Sequence, residues 1–137
     1  MFFNKKEDKE EESYLIRIGA LLIHAAKIDE QYTTAEEDII KKTLLELGAD
    51  KNQLELLIVN AKKREENSYQ ILDFTKEVKK LDEKEKIKIV KSLWKIIYSN
   101  KDADIYETSL MRRLSGLLYI DSKIMGDIKE EIKNKYS

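Results

Sequence analysis

Apolar residues recur through most of the chain at the three- and four-residue spacing that gathers them on one face of an α-helix. Strong helix formers fill the positions between them and proline is absent, so little in the sequence competes with helix formation. The pattern predicts an all-α fold of about seven helices. The first helix covers residues 13–28, the second runs from Thr33 to Gly48, and the third runs from Asp50 to a break at Asn67 and Ser68. The fourth helix covers Ile71 to Val78, and the last three begin at Asp82, Asp104 and Asp121.

Several of these helices begin with a polar residue that is followed three positions later by Glu or Gln, which is the signature of an N-terminal cap. Thr33 precedes Glu36, and Thr34 precedes Glu37, by this spacing. We therefore expect two overlapping capping boxes at the second helix. The same spacing predicts caps at Asp50 with Gln53, Asp82 with Glu85, and Asp104 with Glu107.

The fifth predicted helix has a wider apolar surface than the others, about half of its circumference. Such an arc suits a central helix that several neighbours contact, so we centre the core on it. The single tryptophan, Trp94, lies in this arc. We expect it in the core, with its indole N–H bonded to a partner.

The first twelve residues, MFFNKKEDKEEE, are mostly charged and are expected to form a disordered tail. Residues 13–137 then form a single helical domain. No apolar stretch is long enough to span a bilayer, and the charged start does not resemble a secretory signal. We therefore expect a cytoplasmic protein, with membrane contact at most peripheral through Phe2 and Phe3.

The composition excludes several classes of site. The 137 residues contain no cysteine, one histidine and four glycines. Disulfides, thiolate metal sites, multi-histidine sites and glycine-rich phosphate loops are therefore excluded. The net charge of −1 gives no reason to expect nucleic acid as a partner. The histidine, His24, lies beside an apolar helix face and is interpreted as a packed or surface residue.

One region of the sequence occurs twice, with a constant offset between the copies. Residues 24–36 align with residues 95–107, so that Asp29 aligns with Asn100, Thr33 with Asp104, and Glu36 with Glu107. Each copy is an apolar helix end, a short polar loop, a cap residue, a Glu and a new apolar run. We expect two such units to pack together, with the third and fourth helices bridging them.

This repeat resembles the TerB family, all-helical proteins named for tellurite resistance. The family pattern begins with a helix that ends in Ala-Asp-Gly. A hydrophobic residue follows, and then Asp, Ser or Thr with a Glu three positions later. The whole pattern occurs twice in each chain. The second copy here, LWKIIYSNKDADIYETSLMRR over residues 93–113, is the closer match. It is similar to the stand-alone bacterial TerB-like proteins, and the resemblance covers nearly all of residues 14–136.

The chain departs from the family pattern at the two loops. The Ala-Asp-Gly positions hold Ile28-Asp29-Glu30 in the first copy and Ser99-Asn100-Lys101 in the second. Both glycines are therefore replaced by residues that turn less easily where the backbone needs a positive φ. Asn100 still offers an oxygen ligand to a metal, although it has no charge.

The resemblance implies a metal-binding acidic surface, and oxygen ligands suit calcium or magnesium. The candidate ligands are Asp29, Glu36, Asn100, Asp104 and Glu107. Helix capping by itself also explains these residue types at this spacing, so both interpretations stay open. We expect the carboxylates to be exposed at the helix starts, where pKa shifts are small, which argues against catalysis.

A second candidate surface is a lysine stripe on the fifth helix, defined as Lys84, Lys88, Lys91 and Lys95. Their spacing places them within about 60° of arc, where they could bind an acidic partner. A solvated helix face is the alternative. The sequence thus favours a non-enzymatic TerB-like module that binds another protein in bacterial stress response or envelope-linked signalling, with a weak divalent-cation site. A plain interaction domain without metal and a hydrolase that uses the acidic cluster remain alternatives, and the oligomeric state stays open.

Overall fold

The computed structural model describes residues 4–28, 30, 32–68, 71–99 and 105–135, with side chains from residue 14 onwards except at position 77. Within these residues 81% are α-helical and no strand occurs. In this described part of the chain, seven α-helices and one 3₁₀ turn at Lys51–Gln53 follow in order. The helices are α1 (Asn4–Ala26), α2 (Thr34–Glu46), α3 (Leu54–Glu66), α4 (Leu72–Val78), α5 (Glu83–Tyr98), α6 (Ile105–Leu117) and α7 (Ser122–Lys135).

The first helix begins earlier than predicted, at Asn4 rather than at Ser13. Glu and Lys dominate the added segment and are strong helix formers. Extending an existing helix gains a backbone hydrogen bond for each residue without the cost of a new nucleus. Ser13 is therefore a residue within α1 and not its cap. The division into a tail and a domain at residue 13 stays a prediction.

Two helices, α1 and α5, form the centre of the molecule. The α1 helix packs against α2, α3, α4 and α5, and α5 packs against α1, α2 and α7. Side chains on these two helices, such as Ile18, Leu22, Leu93 and Ile97, are completely buried. The prediction that α5 is a central helix is confirmed, but the core is shared with α1, whose apolar face meets more neighbouring helices.

The crossing of α1 and α3 depends on a glycine. A Cβ atom on Gly19 would lie 2.9 Å from the Cβ of Ala61 in α3, closer than carbon atoms pack. The absence of a side chain at Gly19 and the small side chain of Ala61 therefore let the two helix backbones approach closely.

The repeat seen in the sequence is also present in the helix boundaries. The shift that aligns residue 24 with residue 95 also moves both ends of α2 onto the ends of α6. The same shift moves the start of the 3₁₀ turn that leads into α3 onto the start of α7. The two units are therefore α1–α3 and α5–α7. The expectation that the third and fourth helices both bridge the units is wrong, because α3 belongs to the first unit and α4 is the connector.

Matching hydrogen bonds end α2 and α6. The N–H groups of Ala49 and Ile120 each donate to the carbonyl five residues earlier, on Leu44 and Ser115, at 2.9 and 3.0 Å. This is the Schellman arrangement, which places one residue in the left-handed region. That residue is Gly48 in the first unit, with φ of 107°, and Tyr119 in the second, with φ of 55°.

Candidate functional site

Thr33 caps the N-terminus of α2 as the sequence predicted. Its backbone is extended, and its hydroxyl accepts the N–H of Glu36 at 3.1 Å. Its own N–H donates to Oε1 of Glu36 at 2.8 Å. The reciprocal pair is a complete capping box, so two N–H groups near the start of the helix find partners.

The second predicted box at this helix, between Thr34 and Glu37, does not form. Thr34 is the first residue of α2, and the Glu37 side chain reaches α3 instead. Its carboxylate accepts hydrogen bonds from Nζ of Lys62 at 2.8 Å and from the Tyr32 hydroxyl at 3.1 Å. Lys41 lies 3.7 Å away on the next turn of the same helix. A tertiary contact therefore replaces the local cap.

These contacts change the proton affinity of two groups. The hydrogen bond from Lys62 lowers the pKa of Glu37, although partial burial opposes the shift. The charges of Lys62 and Lys41 and the hydrogen bond from Tyr32 lower it further. Burial, the nearby Glu37 carboxylate and its hydrogen bond raise the pKa of the Tyr32 phenol well above its ordinary value. The cluster is therefore an ionised carboxylate held by a cation and a neutral phenol.

Two of the five predicted cation ligands are described, and both are buried. Glu36 is 1% exposed at the start of α2, and Glu107 is 4% exposed at the equivalent position of α6. The expectation of exposed carboxylates is wrong for both. For Glu36 the reason is the capping box, because a Glu that closes such a box folds back over its own helix start.

The other three predicted ligands, Asp29, Asn100 and Asp104, lie outside the described residues. The predicted cap at Asp104 lies there as well. Among the residues that are described, no three His, Asp or Glu side chains come close enough to hold a metal ion. The complete five-residue cation site stays a prediction.

The loop before α2 holds a glutamate, Glu30, in the backbone conformation that a glycine would adopt. Glu30 occupies the position of the glycine in Ala-Asp-Gly, and its φ of 64° lies in the left-handed region. Its N–H donates to the carbonyl of Lys27 at 2.9 Å, which holds this conformation. The loop therefore keeps the backbone shape that glycine adopts most easily and strains Glu30 instead.

The lysine stripe lies along α5 as predicted. Lys84 and Lys88 are exposed, and Lys91 and Lys95 are half-buried. Lys91 contacts the Glu131 carboxylate of α7 at 3.8 Å. In the described part of the chain the other three lysines have no ion-pair partner. The stripe is therefore a positive surface that α7 neutralises at one position.

His24 is half-buried at the end of α1 and belongs to a small ionic cluster. Its Nδ1 lies 3.3 Å from Oε1 of Glu65, whose other oxygen accepts from Nζ of Lys27 at 2.8 Å. The ring centroid lies 6.4 Å from that of Phe74. The interpretation of His24 as a packed or surface residue agrees with this position.

Trp94 is in the core, at 3% exposure, and stacks on Tyr98 with ring centroids 5.9 Å apart. Its Nε1 is buried without a hydrogen-bond partner among the residues that the structure describes, so the expected partner is not found. The indole also lines a cavity between α5, α6 and α7, together with Arg112 and Lys129. Sequence reasoning missed this cavity because its lining comes from three separate helices.

The fold and these helix starts define an all-α domain of two related three-helix units joined by a short helix. The family model described as Tellurite resistance protein TerB matches residues 15–130, from α1 into α7. The chain therefore belongs to the TerB family, as the repeat and its motifs predicted. Searches of curated proteins and of solved structures found no match. In the described ranges, no helix combines the length and apolarity needed to cross a membrane.

Proposed function

We propose that this chain is a non-catalytic TerB-type module that acts in a bacterial stress response of the tellurite-resistance kind by binding another protein. The proposed partner surface is the lysine stripe of α5, and the proposed partner presents an acidic surface. A cytoplasmic location and a weak divalent-cation site belong to the same proposal.

The observation that supports partner binding is the combination of a rigid helix with unpaired charge. The inner face of α5 is buried, so the helix cannot reorient without disrupting the core. Lys84 and Lys88 point outward, and no described residue neutralises them. A fixed row of cations attracts an acidic surface and raises its association rate, an effect that salt weakens.

A charge-reversal capture experiment tests the partner surface. The full chain is immobilised and used to capture proteins from bacterial lysate at increasing salt, beside the double variant Lys84→Glu, Lys88→Glu. We expect the variant to lose the captured partner and the salt dependence of capture. The matched control is Lys123→Glu with Lys133→Glu, which makes the same charge change on exposed positions of α7. Equal loss in both double variants would contradict a specific lysine surface.

The cation part of the proposal is supported by the equivalence of Glu36 and Glu107. Each is the third residue of its helix, at matching positions of the repeat, and both carboxylates are shielded from water. A carboxylate can accept several interactions at once, and oxygen ligands are suited to a hard divalent cation. Asp29, Asn100 and Asp104 would complete the ligand set.

Thermal unfolding with and without divalent cation tests this site. With a dissociation constant on the order of 1 mM, about 5 mM calcium or magnesium should stabilise the native state by about 1 kcal/mol. Asp104→Asn should reduce the shift, while Glu130→Gln, an exposed change on α7, should not. No shift in the wild type would leave the two glutamates as capping residues. A shift that survives Asp104→Asn would place the ion elsewhere.

A further inference from the structure

The cavity beside Trp94 combines apolar, hydroxyl and cationic side chains in its lining. Its volume is about 280 Å³, close to the lower end of the range for small-molecule pockets, roughly 300–1,000 Å³. Met111 and Met125 supply apolar surface, and Thr108 and Ser122 supply hydroxyl groups. All four belong to α6 or α7, so the cavity lies where these two helices meet α5.

The buried indole N–H is the first observation that points to a ligand. Leaving a buried donor without an acceptor costs roughly 1–3 kcal/mol, so such groups are rare. Trp94 borders the cavity, and no described residue accepts its hydrogen bond. The N–H is closed off from the open part of the cavity, so an acceptor atom satisfies the indole when it enters between the lining side chains.

The charge of the lining is the second observation. Arg112 and Lys129 border the cavity, no acidic residue does, and neither cation has an ion-pair partner in the described ranges. Nζ of Lys129 lies 5.6 Å from the centroid of the Trp94 ring, so one cation is already held against the indole. The hydroxyl of Ser115, also in the lining, donates to the carbonyl of Ile120.

We propose that this cavity binds a small organic anion. Its carboxylate or phosphate group pairs with Arg112 and Lys129 and, by entering between the lining side chains, accepts from the Trp94 N–H. The apolar body of the ligand would lie against Met111 and Met125. This site is independent of the lysine stripe and of the cation ligands, so its failure would leave the proposed function untouched.

Trp94 is the only tryptophan, so it reports directly on the site. In the ¹H–¹⁵N spectrum of the full chain the indole gives one cross-peak. We expect hexanoate and hexyl phosphate to shift this peak downfield in a saturable titration, because the proton gains an acceptor. Hexanol, acetate and inorganic phosphate are titrated in parallel and should bind at least tenfold more weakly, since each lacks either the charge or the apolar body.

Adjacent arginines provide a matched pair of variants. Arg112 borders the cavity, whereas Arg113, which is also exposed on α6, is not part of its lining. Arg112→Gln and Lys129→Gln should each weaken hexanoate binding about tenfold or more, because a charge-assisted hydrogen bond is lost. Arg113→Gln should leave the affinity unchanged.

A cavity-filling variant checks the location without removing Trp94. An added Cβ at Gly126 meets open space, so Gly126→Leu should fold and occupy part of the cavity, thereby abolishing the hexanoate shift. Equal effects of Arg112→Gln and Arg113→Gln would overturn the proposal, as would hexanol binding as tightly as hexanoate. An indole peak that no probe moves would overturn it as well.

Discussion

At the scale of single residues, backbone conformation explains where this chain is strained. Glu30 and Tyr119 both have positive φ, a region that costs a residue with a Cβ roughly 1–2 kcal/mol. The equivalent of Tyr119 in the first unit is Gly48, which adopts its φ without that cost. The same turn is therefore built from glycine in one unit and from a strained residue in the other.

Replacing Glu30 with glycine should stabilise the protein. Relief of the left-handed strain outweighs the entropy that glycine adds to the unfolded chain, so we expect a gain of about 0.5–1 kcal/mol. Chemical denaturation measures it. Glu130→Gly, the same change at an exposed position inside α7, should instead cost about 1 kcal/mol. Destabilisation by both changes would contradict the assigned conformation of Glu30.

Replacing Gly19 with alanine should destabilise the protein, because the α1 and α3 backbones approach closely there. In Gly19→Ala the new Cβ must displace Ala61, so we expect a loss of about 1–2 kcal/mol despite the better helix propensity of alanine. Gly126→Ala is the control, because nothing lies within 4 Å of its added Cβ. It should gain about 0.5–1 kcal/mol in the same denaturation assay. A stabilised Gly19→Ala would show that α1 and α3 pack less closely.

At the scale of elements, local caps compete with contacts between helices. Asp82 caps α5 through the N–H of Glu85 at 2.9 Å, as predicted. The Glu85 side chain instead accepts from the hydroxyl of Tyr14 on α1 at 3.1 Å. Burial, and after it this hydrogen bond, raises the pKa of Tyr14. The same spacing of cap and Glu therefore gives a closed box at Thr33 and a link between helices at Asp82.

The link between α2 and α3 through Glu37 should appear as a pH dependence of stability. The folded pKa of Glu37 lies below the ordinary value of 4.5, chiefly because of the hydrogen bond from Lys62. Its stabilisation is therefore fully present above the unfolded value and is lost as the pH falls through the lowered folded value.

Glu37→Gln tests this dependence. The variant should be less stable than the wild type at about pH 7, and the difference should shrink by about pH 3, where protonated Glu resembles Gln. Urea unfolding at several pH values measures the difference. Glu46→Gln, an exposed change on the same helix, should show no such convergence. A constant difference between Glu37→Gln and wild type across this range would argue against the ionic link.

At the scale of the whole molecule, one side chain joins the core to the cavity. Trp94→Ala should cost about 3–5 kcal/mol, because it removes the largest side chain between α5 and α7. Trp94→Phe should cost roughly half as much or less, since it keeps most of the ring volume and the lost N–H has no described partner. Thermal or urea unfolding measures both. Equal losses would indicate that the N–H makes a hydrogen bond.

The local pattern of the sequence was sufficient for the helices, for the caps at Thr33 and Asp82, and for the family. Helical periodicity and cap spacing are set by residues within four positions of one another, so they can be read along the chain. The internal repeat was sufficient for the family assignment for the same reason, because both units contain the same local cap and helix signals. The start of α1 was missed because extension of a formed helix needs no signal of its own.

Only the tertiary structure decided which groups meet across helices. It directs Glu37 to Lys62 and leaves the indole of Trp94 beside two cations in a cavity. Neither arrangement follows from local spacing, because both depend on how α2, α3, α5, α6 and α7 pack after they have formed. Side chains distant in sequence become neighbours only through that packing, which sets both their burial and their charge partners.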